Sequence, residues 1–465
     1  MGTEGYVEFD KYTVKGLEVE TLFFDLPLNY KKPSGVKIRI AIKRTVATDK
    51  VGDRDADTLP YLIYLQGGPG FECAMPMSKS GKMDEFISRG YAVLELDQRG
   101  TGLSTPVNWE TLYKPGEQGG KPSDETVAEY LHHFRADNIV NDAEAIRKIL
   151  LKNRLDQKWT IVGQSYGGFC CFTYLSFFSE SIKECILTGG VPPTFLNNPD
   201  DVYRATYERV KERNKKYYEK YSADILKVKQ ISDFISKHQP LPLPDGGNLS
   251  IERFQQLGIN FGRHNGIDGV HQIVNNFVND LTLYGKPSFN TLKVIADQHS
   301  FDTNPIYALL HESIYCQHNP SLWSADRLRF SESNNDFFNW EKGDAKALEL
   351  SNNLPLYFTG EMIYKSNFDD YINLRPLKSV AELLATKGDW PKLFDLEKLV
   401  KNEVPISAAV YYHDMYVDFN LTMKVLHQTG SVRYWITNEY YHNGIGVNPK
   451  DVYSHLFGLL DNDIE

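Results

Sequence analysis

A serine flanked by glycines stands between a predicted strand and a predicted helix, and no other feature restricts the fold as strongly. Residues 163–167 read Gly-Gln-Ser-Tyr-Gly, and a β-branched, apolar run over residues 160–162 leads directly into them. A small and apolar stretch, residues 168–175, follows at once. A strand, a tight turn and a helix in immediate succession form a nucleophile elbow, in which side chains at the glycine positions would collide with neighbouring backbone. The pattern predicts that Ser165 is a nucleophile.

Strand-like and helix-like patterns alternate through the first part of the chain. Short apolar runs bounded by turn residues, at 59–65, 91–96 and 159–162, have the form of buried strands. Apolar residues recur at helical spacing over 139–150. This alternation predicts a mostly parallel twisted sheet with helices on both faces, and the elbow makes it an α/β-hydrolase fold. The alternating segment 36–42 predicts an antiparallel hairpin at the edge of the sheet.

The pattern changes near residue 197, where helix formers, aromatic residues and amides become frequent and remain so to about residue 394. Strand signals return at 405–412 and 432–437. The simplest organisation is a sheet domain formed by residues 1–196 and 395–465. A helical cap, residues 197–394, is inserted between its two parts.

A serine nucleophile needs a base, and the base needs an acid that orients it. In this fold the chain order is serine, acid, histidine, and each of the last two follows a late strand. Two acids follow the strand predicted at 405–412, namely Asp414 and Asp418. After the strand predicted at 432–437, His442 lies in a glycine-containing loop and is the predicted base.

A glycine-rich loop follows the strand predicted at 59–65. Its residues 66–70 read Gln-Gly-Gly-Pro-Gly, and such a loop lets backbone N–H groups approach a substrate closely. In this fold, N–H groups of this loop and of the residue after the nucleophile, Tyr166, form the oxyanion hole.

Three blocks in this order resemble the proline iminopeptidase (prolyl aminopeptidase) family. They are Gly-Gly-Pro-Gly at 67–70, Asp-Gln-Arg-Gly-Thr-Gly-Leu-Ser at 97–104 and Gly-Gln-Ser-Tyr-Gly-Gly at 163–168. The resemblance extends over the sheet-forming parts and fits the longer branch of the family, which has a large cap. We expect Asp97 and Arg99 of the second block to brace their loop rather than to react.

The resemblance implies a role for each predicted site residue. It makes Ser165 the nucleophile, Asp414 the acid and His442 the base, with Asp418 as the alternative acid. It implies, too, that the oxyanion is stabilised by backbone N–H groups; we assign these to Gly68 and Tyr166.

The family selects a free N-terminus with acidic residues of the cap. Glu312 and Glu361 each lie among aromatic and apolar residues, where a carboxylate is unusual unless it has a partner. The resemblance therefore implies that both are substrate-binding residues, although a carboxylate on a helix surface is the alternative for each. The implied activity is that of a serine aminopeptidase that releases an N-terminal residue, preferably proline, from peptides. How strictly proline is preferred stays open.

Two other functions are alternatives to an aminopeptidase. A serine esterase or amidase acting on non-peptide small molecules has the same fold, and the fold alone does not determine the chemistry. A catalytically silent binding protein is disfavoured by the complete set of triad residues.

Composition restricts the partners and the compartment. A net charge of −10 disfavours nucleic acid and anionic lipid as partners. No apolar run is long enough to cross a membrane, and the first residues lack the form of a secretory signal. The five cysteines show no CxxC spacing, which favours free thiols in a reducing compartment, so we expect a cytosolic protein.

His311-Glu312 lacks the second histidine of a zinc motif, and we expect no metal and no cofactor; the oligomeric state stays open.

Overall fold

The computed structural model describes residues 5–51, 58–114, 120–338 and 355–461. The prediction about a secretory signal rests partly on the first four residues, which lie outside this range. The strands are β1 Val7–Val14, β2 Leu17–Pro27, β3 Lys37–Ala47, β4 Tyr61–Leu65, β5 Ala92–Asp97, β6 Trp159–Gln164, β7 Ile182–Thr188, β8 Leu241–Pro242, β9 Asn248–Leu249, β10 Ile406–Tyr411 and β11 Val432–Thr437.

The helices alternate with these strands in the first part of the chain and dominate between β7 and β10. They are α1 Lys82–Ser88, α2 Trp109–Leu112, α3 Asp124–Leu131, α4 Ala136–Leu150, α5 Tyr166–Phe178, α6 Asp200–Lys220, α7 Asp224–Lys237, α8 Ile251–Gln255, α9 Gly266–Tyr284, α10 Phe289–Ala296, α11 Pro305–Leu310, α12 Ser324–Arg329, α13 Asn335–Phe338, α14 Asn367–Asp370, α15 Lys378–Thr386, α16 Leu396–Val400, α17 Phe419–Gln428, α18 Gly444–Val447 and α19 Pro449–Leu460.

A nine-stranded sheet organises the molecule, in the order β1-β2-β3-β5-β4-β6-β7-β10-β11. The strands from β5 through β4, β6, β7 and β10 to β11 pair in parallel. The first three strands pair antiparallel and join the parallel part through the pair of β3 with β5. This arrangement confirms the predicted α/β-hydrolase fold. Segment 36–42 lies in β3, which pairs antiparallel as expected, but β3 has a neighbour on each side and the edge strand is β1.

Apolar side chains cover both faces of the sheet. On one face, Ile139 and Ile146 of α4 and Phe172 of α5 belong to a buried cluster with residues of the central strands. On the other face, Phe86 of α1 and Leu456 of α19 pack against alternate residues of the same strands. Every residue of β4 is buried, because a central parallel strand contacts a helical layer on each side.

The helices between β7 and β10 form a cap. One apolar cluster lies almost wholly within it, and a second joins it to α2 and α3. The cap helices begin with α6 at Asp200, and α16, which leads into β10, begins at Leu396. These bounds suit the proposed cap at residues 197–394, of which residues 339–354 lie outside the described range. Residues of the cap line the same cavity as Ser165.

In the described part of the chain, no helix combines the length and the apolar character that crossing a bilayer requires. The five cysteines are all buried and form no disulfide with one another.

Candidate active site

Ser165 lies at the tip of a turn that joins β6 to α5. Its backbone is in an unusual conformation, with φ 52° and ψ −124°, which a non-glycine residue rarely adopts. A Cβ atom at Gly163 would come within 2.5 Å of the Gly167 backbone, and one at Gly167 within 1.9 Å of the Leu65 carbonyl oxygen. Only glycine fits these two positions, and the hydroxyl is thereby held above the ends of the central strands.

His442 connects the serine to an acid. Its Nδ1 lies 2.7 Å from Oδ2 of Asp414, and its Nε2 lies 2.9 Å from Oγ of Ser165. An ionised carboxylate only accepts hydrogen bonds, so Nδ1 carries the proton and Nε2 accepts from the serine hydroxyl. The structure thus brings Ser165, His442 and Asp414 into one hydrogen-bonded chain, although 277 residues separate the serine from the histidine.

The carboxylate of Asp414 is held by its own loop as well as by the histidine. Its Oδ1 accepts hydrogen bonds from the backbone N–H groups of Tyr416 and Val417 at 2.8 and 3.0 Å. Asp418, the alternative acid, lies elsewhere. Its side chain caps α17 by accepting from the N–H of Leu421, and it pairs with Arg209 at 2.9 Å.

The surroundings of His442 favour its charged form. Burial opposes protonation, but the charge and hydrogen bond of Asp414, helped by the charge of Glu361, outweigh it. Arg263 acts in the opposite direction. The net result is a pKa of His442 above its ordinary value of 6.5, which suits a base that must hold a proton during the reaction.

The predicted oxyanion loop packs directly against the elbow. A Cβ atom at Gly67 would come within 3.0 Å of the Ser165 Cβ atom, and Gly68 has φ +133° and lines the same cavity as the serine. Tyr166 is the first residue of α5, so its N–H has no acceptor within the helix and points from the positive end of the helix dipole. Gly68 and Tyr166 therefore both lie beside Ser165; that their N–H groups form the oxyanion hole stays a prediction.

Asp97 and Arg99 are both buried and hold different parts of the neighbouring loops. Asp97 accepts from the Lys43 ammonium at 2.7 Å and from two backbone N–H groups of the adjoining loops. Arg99 forms a two-point contact with Asp142 at 2.8 and 2.7 Å. Each therefore braces the loops through a separate partner, and neither lines the cavity of the serine.

A cavity of about 640 Å³ opens above Ser165. Its walls combine aromatic side chains with polar ones, and both the sheet domain and the cap contribute. The lining includes Phe71, Phe301, Tyr307 and Tyr416 as aromatic residues and Gln164, Arg263, Gln298, His299, Glu361 and Asn443 as polar residues. The volume is in the range of small-molecule sites.

Glu361 supplies a carboxylate to this cavity. Its Oε1 accepts a hydrogen bond of 2.7 Å from the hydroxyl of Tyr307, which is buried. Tyr307 in turn stacks on Phe301, with ring centroids 5.3 Å apart. A half-buried carboxylate beside two aromatic rings is suited to an ammonium group attached to a small apolar ring or side chain.

Glu312 lies in a different environment from the one expected. It is 7% exposed and is not among the residues that line the cavity. Its two carboxylate oxygens accept hydrogen bonds from the backbone N–H groups of Ser324 and Ala325, at 3.1 and 2.9 Å, which begin α12. Burial raises the pKa of Glu312 to about 7. A carboxylate at a helix N-terminus is a favourable structural arrangement, and it leaves no oxygen directed at a substrate.

The cap is hydrogen-bonded to the loop that carries the base. The N–H of His442 donates to the carbonyl oxygen of Gly262, and the N–H of His264 donates to Oδ1 of Asn443 at 3.0 Å. Arg213 of α6 adds bonds to the Phe261 carbonyl and to the Tyr441 hydroxyl, at 2.9 and 3.0 Å. The segment of the cap at 261–264 therefore lies directly against His442.

Several residues of the site lie outside the predicted set, above all Tyr307 and Arg263. Tyr307 belongs to α11 and reaches Glu361 across 54 residues of chain. Neither residue stands in a recognisable motif, and only the folding of the cap brings them to the serine. The described residues contain no group of three or more His, Cys, Asp or Glu side chains arranged to hold a metal ion; that the protein needs no metal stays a prediction.

Comparison with known proteins finds a matching family model and related individual proteins. Residues 60–329 match the model of a family described as alpha/beta hydrolase fold. A proline iminopeptidase of Aeromonas sobria is 38% identical over 451 residues, which are 96% of this chain and 98% of that one. A proline iminopeptidase of Aspergillus aculeatus is 36% identical over 444 residues, 95% of this chain and 93% of that one. A tripeptidyl aminopeptidase of Streptomyces lividans is 25% identical over 197 residues, 37% of this chain and 35% of that one.

Proposed function

This chain belongs to the proline iminopeptidase family of α/β-hydrolases, and from that premise we infer that it is a serine aminopeptidase. It releases an N-terminal residue, preferably proline, from peptides with a free N-terminus. One observation carries the proposal for this chain in particular: a single cavity is lined by both Ser165 and the carboxylate of Glu361. An aminopeptidase needs this pair, because it must hold the free amine close to the bond that it breaks.

In the proposed first step, His442 takes the proton of the Ser165 hydroxyl as the oxygen attacks the carbonyl carbon of the first peptide bond. Asp414 holds the imidazole in the tautomer that accepts this proton and stabilises the imidazolium that forms. The oxyanion is stabilised by the N–H groups of Gly68 and Tyr166. His442 then gives its proton to the leaving nitrogen, the C–N bond breaks, and the first residue stays on Ser165 as an ester.

In the second step, water gives a proton to His442 and attacks the ester. The tetrahedral intermediate collapses, His442 returns the proton to the serine oxygen, and the free amino acid leaves. The proton transfers use Ser165, His442 and Asp414, which are hydrogen-bonded in that order.

Selection of the N-terminus is assigned to Glu361. A protonated α-amine that leaves water is unstable unless a negative charge meets it, and Glu361 with its partner Tyr307 offers that charge. The aromatic walls contributed by Phe301 and Tyr307 suit the apolar ring of proline. Glu312, assigned to the amine from the sequence, caps α12 instead and is not part of this proposal.

A panel of substrates tests the function. Prolyl, alanyl and leucyl anilides should be hydrolysed, with proline fastest, whereas N-acetylprolyl anilide should be cleaved at least about 30-fold more slowly, since it has no amine for Glu361. Equal rates on the acetylated and free substrates would contradict the aminopeptidase and leave the esterase or amidase alternative, for which no feature of the site gives separate support.

The remaining expectations about partners stay predictions. The net charge of −10 makes nucleic acid and membrane surfaces unsuitable partners. The cytosolic location is a prediction from the sequence.

A further inference from the structure

Arg263 lies at the point where the active-site cavity meets a second cavity. The second cavity has a volume of about 390 Å³ and is walled by α9, α10 and the segment before α9. Arg263 and Gln298 line both cavities. None of the proposed catalytic steps uses Arg263.

The position of Arg263 is determined by its chain neighbours. Gly262 accepts a hydrogen bond from the N–H of His442, and His264 donates one to the side chain of Asn443. Arg263 is therefore anchored on both sides to the loop of the base. Its charge reaches the imidazole, where it acts to lower the pKa of His442.

In the described part of the chain, the guanidinium has no negative partner. Among the described residues, no carboxylate forms an ion pair with Arg263, and its polar contact is with the side chain of Tyr416. Arg263 is exposed at the rim of the cavity. A planar, permanently charged group without a carboxylate beside a catalytic histidine is ready to accept one from a ligand.

The chemistry of peptide cleavage determines which side of the substrate lies near Arg263. The leaving nitrogen must take its proton from Nε2 of His442, so the leaving residue lies on the side of the histidine. In a dipeptide the carboxylate carbon is only three bonds beyond the scissile carbonyl carbon, a span of about 4 Å. The one negative charge of a dipeptide thus falls on the side of the cavity where Arg263 is held.

We propose that Arg263 binds the carboxylate of the leaving residue, and that free dipeptides with an N-terminal proline are preferred substrates. This inference rests on the proposed aminopeptidase function and adds the recognition of the second end of the substrate. Glu361 meets the ammonium group and Arg263 meets the carboxylate, so the cavity offers an opposite charge to each end of a dipeptide; Glu72 also lines the cavity. Longer peptides place an uncharged peptide group beside Arg263 and lose this contact.

The test compares Pro-Ala with its C-terminal amide, Pro-Ala-NH2, which differs only in the charge. We expect kcat/KM of the parent enzyme to be about three- to tenfold higher for the free acid, a modest ratio because the arginine is exposed. In Arg263→Gln the ratio of acid to amide should fall to about one, and Arg263→Lys should keep part of it. Arg204→Gln is a matched control: Arg204 is an exposed arginine of α6 that pairs with Asp201, and its loss should leave the ratio as in the parent.

The ratio separates this inference from a structural role of Arg263, since damage to the fold lowers the rates on acid and amide together. A parent enzyme that cleaves acid and amide equally, or an Arg263→Gln enzyme that keeps the parent's ratio, would overturn the inference while the proposed function stands. An enzyme that hydrolyses simple esters but neither dipeptide would overturn the proposed function, and this inference with it.

Discussion

The backbone N–H of His442 donates a hydrogen bond of 3.2 Å to the carbonyl oxygen of Gly262. The first residue belongs to the sheet domain and the second to the cap, so the cap helps to hold the loop of His442. The ring of Tyr416, in the loop of the acid, contacts His442 edge-on at 4.7 Å between centroids. The hydroxyl of Tyr416 donates a hydrogen bond to the carbonyl oxygen of Ile259, which belongs to the cap. The cap therefore contacts the loops of His442 and Asp414 and also forms part of the walls of the cavity.

This contact predicts that Gly262→Ala slows every reaction of the enzyme. A Cβ atom at residue 262 would come within 2.4 Å of the Tyr416 ring, and the ring that supports His442 must then move. We expect kcat to fall between about ten- and a hundredfold, equally for esters and aminoacyl anilides. Gly388→Ala is the control, because a Cβ atom there meets only Pro320, at 3.8 Å. Unchanged turnover of Gly262→Ala would show that the cap contact does not align the base.

The geometry predicts which aspartate supports catalysis. Ser165→Ala, His442→Ala and Asp414→Asn should each lower turnover by orders of magnitude, and combinations should be far from additive. Asp418→Asn should keep most of the activity, because this residue contacts Arg209 and the start of α17. Its thermal stability should change little, because asparagine caps a helix N-terminus about as well as aspartate does. An inactive Asp418→Asn beside an active Asp414→Asn would reverse the assignment.

Glu361→Gln tests the recognition of the amine. Removing one charge of a desolvated pair typically costs about 2–5 kcal/mol, so kcat/KM for prolyl anilide should fall at least about 30-fold. The rate on a small neutral ester should change much less, since that substrate has no ammonium group. Tyr307→Phe, which removes the hydrogen bond of 2.7 Å to Glu361, should have a smaller effect in the same direction. Equal losses on anilide and ester would mean that Glu361 supports only the fold.

Glu312→Gln, in contrast, should change the stability of the protein and should not discriminate between substrates. Burial raises the pKa of Glu312 from 4.5 to about 7, so the folded protein binds this proton more tightly than the unfolded chain does. The corresponding stability is present below about pH 4.5 and is lost as the pH rises through about 7. Glutamine lacks this titration, so the melting temperature of the parent should fall relative to that of the variant between about pH 5 and pH 8. A constant difference would show that the carboxylate does not titrate in this range.

The pH profile of kcat/KM should report the base. His442 must be neutral to accept the serine proton, and its pKa lies above 6.5 because Asp414 and Glu361 outweigh burial. Activity should therefore fall on the acid side with an apparent pKa above 6.5. In Glu361→Gln this limb should move to lower pH, as one of the charges that raise the pKa of His442 is lost. An apparent pKa below 6.5 on the acid side of the parent's profile would contradict a raised pKa of His442.

The elbow is the part of the site that the residues themselves specify. Gly163 is required by the backbone of Gly167, four positions along the chain, and Gly167 by the carbonyl oxygen of Leu65 in the neighbouring strand. A strand, this pattern and a helix in succession are sufficient to predict the nucleophile. The order of strands and helices along the chain similarly predicts the α/β-hydrolase fold. It also places His442 and the acid in loops that follow late strands, and the structure brings both to the serine.

The choice between similar residues in one region needed the tertiary structure. Asp414 and Asp418 lie four positions apart in one loop, and only the direction of each side chain decides that the first contacts His442 and the second Arg209. Glu312 and Glu361 have similar sequence surroundings, yet one caps α12 and the other lines the cavity. Arg263 has no motif at all. These differences depend on how cap helices far apart in the chain pack together, since the partners of a buried charge are set by contacts between distant segments, whereas the backbone of a turn is set by its own residues.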